Sequence, residues 1–321
     1  MLRRFSERQL FNTMEKIISI LASCAPVFLA LVMGMFCRST GFVTRDGINT
    51  LKKVIINLTL PFVLFSSFAT AEYSVSSIIL PVIMFLVCTL LLGVSFLIIR
   101  LSGMNSHLAT FLGTGFEAGM LGFPLFGLLF PDESLSRLAI LVLGHEIFIF
   151  TLYKMLLTRK TDPKAILNDF THSPILIAVV LGLLVGATGL YHKLQDWGVA
   201  IIVDSITSFI SAPTATIILL TIGYDLALRE IPWKRTGGLM AMRLGLMALF
   251  LGIMLLLNRT VLNGMIFEGA IVLLAMLPPP FIIPVFADEP AERVQISSVL
   301  SAYTLVTMIL FAIATIVLAI Q

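Results

Sequence analysis

Apolar residues run along this chain in ten long blocks, at 17–37, 48–70, 76–99, 108–130, 136–157, 174–191, 199–223, 237–257, 266–286 and 296–320. Each is long enough to cross a hydrocarbon layer about 30 Å thick as an α-helix. The blocks do not alternate apolar and polar positions as barrel strands do, so the pattern predicts an all-α membrane protein with ten transmembrane helices. The connections between them are short and leave no room for a separate soluble domain. The chain then divides into an N-terminal tail (1–16), a first five-helix unit (17–157), a cytoplasmic linker (158–173) and a second five-helix unit (174–321).

Helix-breaking residues recur inside these blocks. Gly34, Pro61 and Pro124 correspond to Gly186, Pro213 and Pro278, at offsets 186 − 34 = 152, 213 − 61 = 152 and 278 − 124 = 154. Five spans per half is an odd number, so the second half is turned over relative to the first. The expectation is an inverted 5+5 repeat whose substrate site lies where broken helices meet. The fourth block carries glycines at 113, 115, 119, 122 and 127 together with Pro124, and the ninth carries Pro278, Pro279 and Pro280 in succession. Glycine and proline weaken a helix by about 1 and 3 kcal/mol each, and proline also removes an amide donor. Unwinding is therefore predicted near Gly119–Pro124 and near Pro278–Pro280.

Composition agrees with a lipid-solvated chain. The apolar set AVILMFWYC makes up 58% and charged residues 12%, against about 25% charged in soluble domains, and mean hydropathy is +1.04. Thirteen Lys and Arg fall in the loops after blocks 1, 3, 5, 7 and 9 (Arg38, Arg45, Lys52, Lys53, Arg100, Lys154, Arg159, Lys160, Lys164, Arg229, Lys234, Arg235, Arg293). Seven lie on the opposite face (Arg3, Arg4, Arg8, Lys16, Arg137, Lys193, Arg259). The positive-inside bias puts the first set in the cytoplasm and both termini on the non-cytoplasmic side of the cell (inner) membrane. The basic segment 1–13 runs against that bias. It reads equally as an ordinary tail or as an extension upstream of a start at Met14. A net charge of +3 gives no reason to expect nucleic acid.

Ionisable groups inside the blocks are the candidates for chemistry, because such groups are costly in a membrane and usually functional. Glu117 lies in the fourth block, His145 and Glu146 in the fifth, Asp204 early in the seventh and Arg243 in the eighth. Arg243 reads either as half of a structural ion pair with Glu146 or Asp204, or as a group that binds an anion. His145 reads as a hydrogen-bonded packing residue in preference to a proton relay, and Lys52 and Lys53 as side chains that snorkel to the surface. Cys24, Cys37 and Cys88 lack metal-ligand spacing and read as small packing residues. The first apolar block is long enough to span and is followed by Arg38, unlike a cleaved signal peptide. No metalloprotease, nucleophile-elbow or phosphate-loop motif occurs, so no enzyme, cofactor or metal is expected.

The string Asn57-Leu-Thr-Leu-Pro61-Phe-Val-Leu-Phe-Ser resembles the second-helix motif of the auxin efflux carrier family. Glu117-Ala-Gly119-Met-Leu-Gly122-Phe-Pro124-Leu resembles that family's fourth-helix motif, Asn-x-Gly-x-x-Gly-x-Pro. Pro213 with Gly223 resembles its seventh helix, and Leu277-Pro278-Pro279 with Ala287 its ninth. The resemblance implies a fold like the sodium/proton antiporters and bile acid symporters. Broken helices 4 and 9 cross in one domain, and helices 1, 2, 6 and 7 form the scaffold. It implies a secondary transporter of a small organic acid anion working by alternating access. The site would comprise Asn57, Glu117, Gly119, Gly122, Pro124, Pro278, Pro279 and Pro280, with Glu146 and Arg243 as further ionisable candidates. This chain departs from the family in carrying Glu117 where an Asn is usual, and Ile282 near the position of a second Asn. A carboxylate there suits a proton better than sodium as coupling ion, because a sodium site needs several oxygen ligands. It also opens the alternative of a neutral or cationic solute, and a non-transporting receptor or scaffold is a further reading. The lipid bilayer is the remaining partner, and a homodimer is the expected assembly.

Overall fold

The computed structural model describes residues 25–71, 73, 75–104, 106–158, 172–226, 233–286 and 290–320. The 1–16 tail, Met14, Cys24 and most of the 158–173 linker lie outside the described residues. The regular structure among the described residues is all helical, without strands. In chain order the segments are α1 (Ala25–Thr40), α2 (Arg45–Ala69), α3 (Val75–Leu101), α4 (Leu108–Leu129) and α5 (Leu135–Thr158). They continue as α6 (Pro174–Ala187), α7 (Ala200–Asp225), α8 (Trp233–Thr260), α9 (Glu268–Met276) and α10 (Pro290–Ile320). Among the described residues, seven helices are long and apolar enough to cross a membrane. The count is eight if α6 and the short helix Leu190–Asp196, bent from it by 64°, form one span.

Local signals set the ends. Thr44 caps α2 by accepting the Gly47 N–H at 3.1 Å, and Ser173 caps α6 ahead of Pro174, whose missing donor costs nothing in a first turn. Short π-helical turns interrupt α2 at Ile55–Thr59, α4 at Ala118–Gly122 and α5 at Ile149–Tyr153. Such turns are rare and cluster at functional places.

The helices form two groups. In one, α1 lies on α7 so closely that a side chain on Gly34 would stand 2.1 Å from the Leu220 carbonyl oxygen. The companion contact is α6 on α2, where a side chain on Gly186 would stand 2.6 Å from the Phe68 carbonyl oxygen. Small residues of this kind let membrane helices approach backbone to backbone. The pairs correspond in number: 186 lies 152 after 34, and 220 lies 152 after 68. In the other group α5 meets α3 through Gly144 against the Pro81 carbonyl. There α10 meets α9 through a hydrogen bond from Thr307 Oγ1 to the Met276 carbonyl (2.6 Å). The α4 segment sits at the centre of this second group, and Leu121, Leu125 and Phe126 are fully buried.

Both α4 and α9 are interrupted. The α9 break runs over 277–282 and contains Pro278–Pro280. The α4 break does not fall at Gly119–Pro124, where the sequence predicts it. It falls at 114–117, and Gly119–Pro124 is wound as the π turn followed by the α-helix from Phe123. Pro124 sits in the first turn of that helix, where proline is tolerated, and Glu117 caps the π turn.

Candidate functional site

The two interruptions touch. Gly115 adopts φ +71°, and a Cβ there would lie 2.9 Å from Pro280 Cγ. The Glu117 N–H donates to the Pro278 carbonyl at 2.9 Å. The Glu117 carboxylate completes the join: Oε2 accepts the Phe281 N–H (2.7 Å) and Oε1 the Met120 N–H (3.4 Å). A single acid thus binds freed amide groups of both broken helices, which a helix start offers to an anion.

The opposite ends are held by Arg243 on α8, which is fully buried. Its guanidinium donates to the carbonyls of Gly115 (2.8 Å), Leu277 (3.0 Å) and Leu112 (3.3 Å). It also lies over the Phe116 and Tyr303 rings at 5.6 and 5.5 Å. A cation is favourable at helix C-terminal carbonyls, and the fork geometry of arginine suits several acceptors at once. Two more side chains serve this first part of α4: Ser95 Oγ donates to the Thr110 carbonyl (2.6 Å) and Tyr153 OH to the Phe111 carbonyl (3.0 Å). The sequence reading that pairs Arg243 with Glu146 or Asp204 is corrected here. Asp204 accepts from Tyr191 OH at 2.8 Å, and Glu146 Oε1 lies 3.3 Å from His145 Nδ1.

A cavity of about 690 Å³ opens between the two helix groups and ends at this crossing. Arg45, Asn49, Lys52, Ile56 and Leu60 of α2 and Ile222 and Asp225 of α7 line one side. Glu117, Gly119, Met120, His145, Glu146, Phe150, Pro280, Phe281 and Thr304 line the other. On its wall Asp225 binds both Arg45 (2.5 Å) and Lys52, so Lys52 lines the cavity. At the other end of α4 the rings of Phe126, Phe130 and Phe267 pack together with centroids 5.0 to 6.0 Å apart.

Of the sequence-predicted residues, Glu117, Gly119, Glu146 and Pro280 come together on the cavity wall. Pro278 and Pro279 are buried behind it, Gly122 packs against Leu277, and Pro124 is in the following helix turn. Arg243 lies behind the crossing, not on the cavity. Asn57 is on an exposed face, its amide donating to the Lys53 carbonyl (2.8 Å). Sequence reasoning missed the Arg45–Asp225–Lys52 cluster. Its available signal was an acid ending the seventh apolar block while basic residues open the second.

Comparison with known proteins adds two findings. A family model described as membrane transport protein matches residues 19–172. A protein of Methanothermobacter thermautotrophicus described as an uncharacterized transporter is 25% identical over 210 residues, covering 63% of this chain and 67% of its own length.

Proposed function

Over residues 19–172 this chain belongs to the membrane transport protein family, that of the auxin efflux carriers, and from that premise we propose that it is a secondary transporter of a small organic acid anion. The observation that carries the reading is the cavity between two helix groups that ends on the crossed breaks of α4 and α9. We read the chain as ten spans in an inverted 5+5 repeat, a reading supported by the contacts of Gly34 with Leu220 and of Gly186 with Phe68, which share one offset. The group α1, α2, α6 and α7 acts as scaffold, and the other moves against it, giving alternating access. The cavity opens beside Arg45, Lys52 and Lys154, on the face richer in Lys and Arg, so it faces the cytoplasm, and both termini lie outside. The three phenylalanines close the outer side.

Proton coupling through Glu117 fits the geometry. The ionised carboxylate accepts amides from both breaks; a proton on either oxygen takes away one acceptor and loosens the join as charge is neutralised. Proteoliposomes tested against a panel of mono- and dicarboxylates are the direct experiment. Accumulation of at least one acid, abolished when the proton gradient is collapsed, is the expected result. Silence across the panel with movement of an amine or a neutral solute would shift the substrate class, and silence for every solute would favour a receptor or scaffold. Glu117→Gln that transports with unchanged response to the proton gradient removes Glu117 as the coupling group.

A further inference from the structure

His145 stands apart from the groups used so far. Its side chain is 2% exposed, and its Nε2 accepts the Phe116 N–H at 2.9 Å. Phe116 lies in the unwound 114–117 stretch, one residue before Glu117, and its ring packs 5.3 Å from the imidazole. An amide N–H can be accepted only by a ring nitrogen that carries no proton. The neutral ring therefore bears its hydrogen on Nδ1, which lies 3.3 Å from Glu146 Oε1 and makes no aligned hydrogen bond among the described residues. Glu146 also lines the cavity, so water reaches the carboxylate beside the buried ring.

The consequence is a latch. We propose, on the transporter reading given above, that His145 is a positioning residue: bare Nε2 holds the α4 break open through Phe116, and protonation of Nε2 releases that amide and arrests the transport cycle. The other ionisable groups around this stretch are Glu117 on α4, Cys88 on α3, Arg243 on α8 and Tyr303 on α10, with Tyr153 and Lys154 further along α5 and Lys52 across the cavity. Glu117 is engaged by two amides and Arg243 by three carbonyls. That leaves Glu146, within 4 Å of the ring, as the carboxylate nearest the Nδ1 hydrogen. The proposal differs from Glu117 coupling in sign. Coupling makes transport depend on the gradient, whereas the latch makes it fail in acid whatever the gradient.

The test uses the full chain in lipid nanodiscs with nitrogen-15 histidine, the His145 signal being assigned by its loss in His145→Gln. At neutral pH the signal should show a proton on Nδ1 and none on Nε2. Acidification should bring the doubly protonated ring together with about tenfold faster exchange of the Phe116 amide, as expected for one lost hydrogen bond. In proteoliposomes carrying succinate or benzoate, wild type should lose kcat with little change in KM as both sides are acidified together. His145→Gln, whose side-chain oxygen still accepts the amide but does not titrate, should show no acid fall relative to its own neutral-pH rate. A proton on Nε2 at neutral pH overturns the proposal, and so does His145→Gln with the wild-type acid fall. A chain that moves no solute fails the transport reading alone, since the tautomer and the exchange rate still decide the latch.

Discussion

In α4 the interrupted backbone keeps its donors and acceptors, and side chains from other helices satisfy them. In α9 the prolines delete donors, leaving mostly carbonyls to be satisfied. The 110–117 stretch of α4 uses Ser95 from α3, Tyr153 and His145 from α5 and Arg243 from α8. Across 276–281, α9 needs Thr307, Arg243 and Glu117. One break is imposed by tertiary partners and the other is written into local sequence. A break held by partners can be remade when those partners move or change protonation, whereas a proline break is fixed. On this comparison α4 is the adjustable arm of the crossing and α9 the rigid one.

Removing the shared cation is the strongest way to break it. Arg243→Met leaves three buried carbonyls without a donor and should destabilise the fold by more than any other change considered, at about 1–3 kcal/mol for each buried acceptor left unsatisfied. Thermal unfolding in detergent checks this. Arg243→Lys should recover part of the loss, since an ammonium reaches some of the three acceptors but lacks the planar fork. A Met variant as stable as wild type would mean the two breaks do not depend on this residue.

Gly115 tests the place where the arms meet. Gly115→Ala forces a side chain into left-handed backbone, at roughly 1–2 kcal/mol. It also sets a Cβ 2.9 Å from a proline ring that cannot rotate away, adding about 1–3 kcal/mol of overpacking. Glu117→Gln should cost less in stability, about 1–2 kcal/mol, because the amide oxygen replaces one acceptor and its NH₂ cannot replace the other. The comparison sharpens if limited proteolysis of both variants exposes the 114–117 stretch before the 277–282 stretch. Equal exposure would remove the distinction between a rigid and an adjustable arm.

That distinction also explains what the sequence made visible. Lipid solvation demands long apolar runs, so the blocks at 108–130 and 136–157 appear in the structure at Leu108–Leu129 and Leu135–Thr158 with ends shifted by a residue. Three consecutive prolines disrupt a helix wherever they stand, so the α9 break is where the sequence puts it. The α4 break is displaced because glycine and proline propensity favours 119–124, while the partners that hold the backbone open converge on 110–117. Those partners are 15 to 131 residues away along the chain. No local window contains that information. The cavity cluster escaped for the same reason, since Asp225 meets Lys52 across 173 residues.

Asn57 gives the smallest and most discriminating case. The resemblance of the Asn57–Pro61 string to a family motif implies it as a site residue, and a regular helix would carry it toward the same face as Pro61 and Leu64. The chain instead makes a π turn over Ile55–Thr59, which inserts an extra residue and rotates the following face. Ile56 and Leu60 reach the cavity, and Asn57 turns outward to bond the carbonyl of Lys53. Such a bond to the preceding turn contributes little, so Asn57→Ala should change stability by no more than about 0.5 kcal/mol and leave uptake unchanged. Loss of uptake with unchanged stability would mean that α2 rotates during the cycle and brings Asn57 to the substrate. The scaffold would then be the moving arm, and the division drawn here between the two helix groups would have to be reversed.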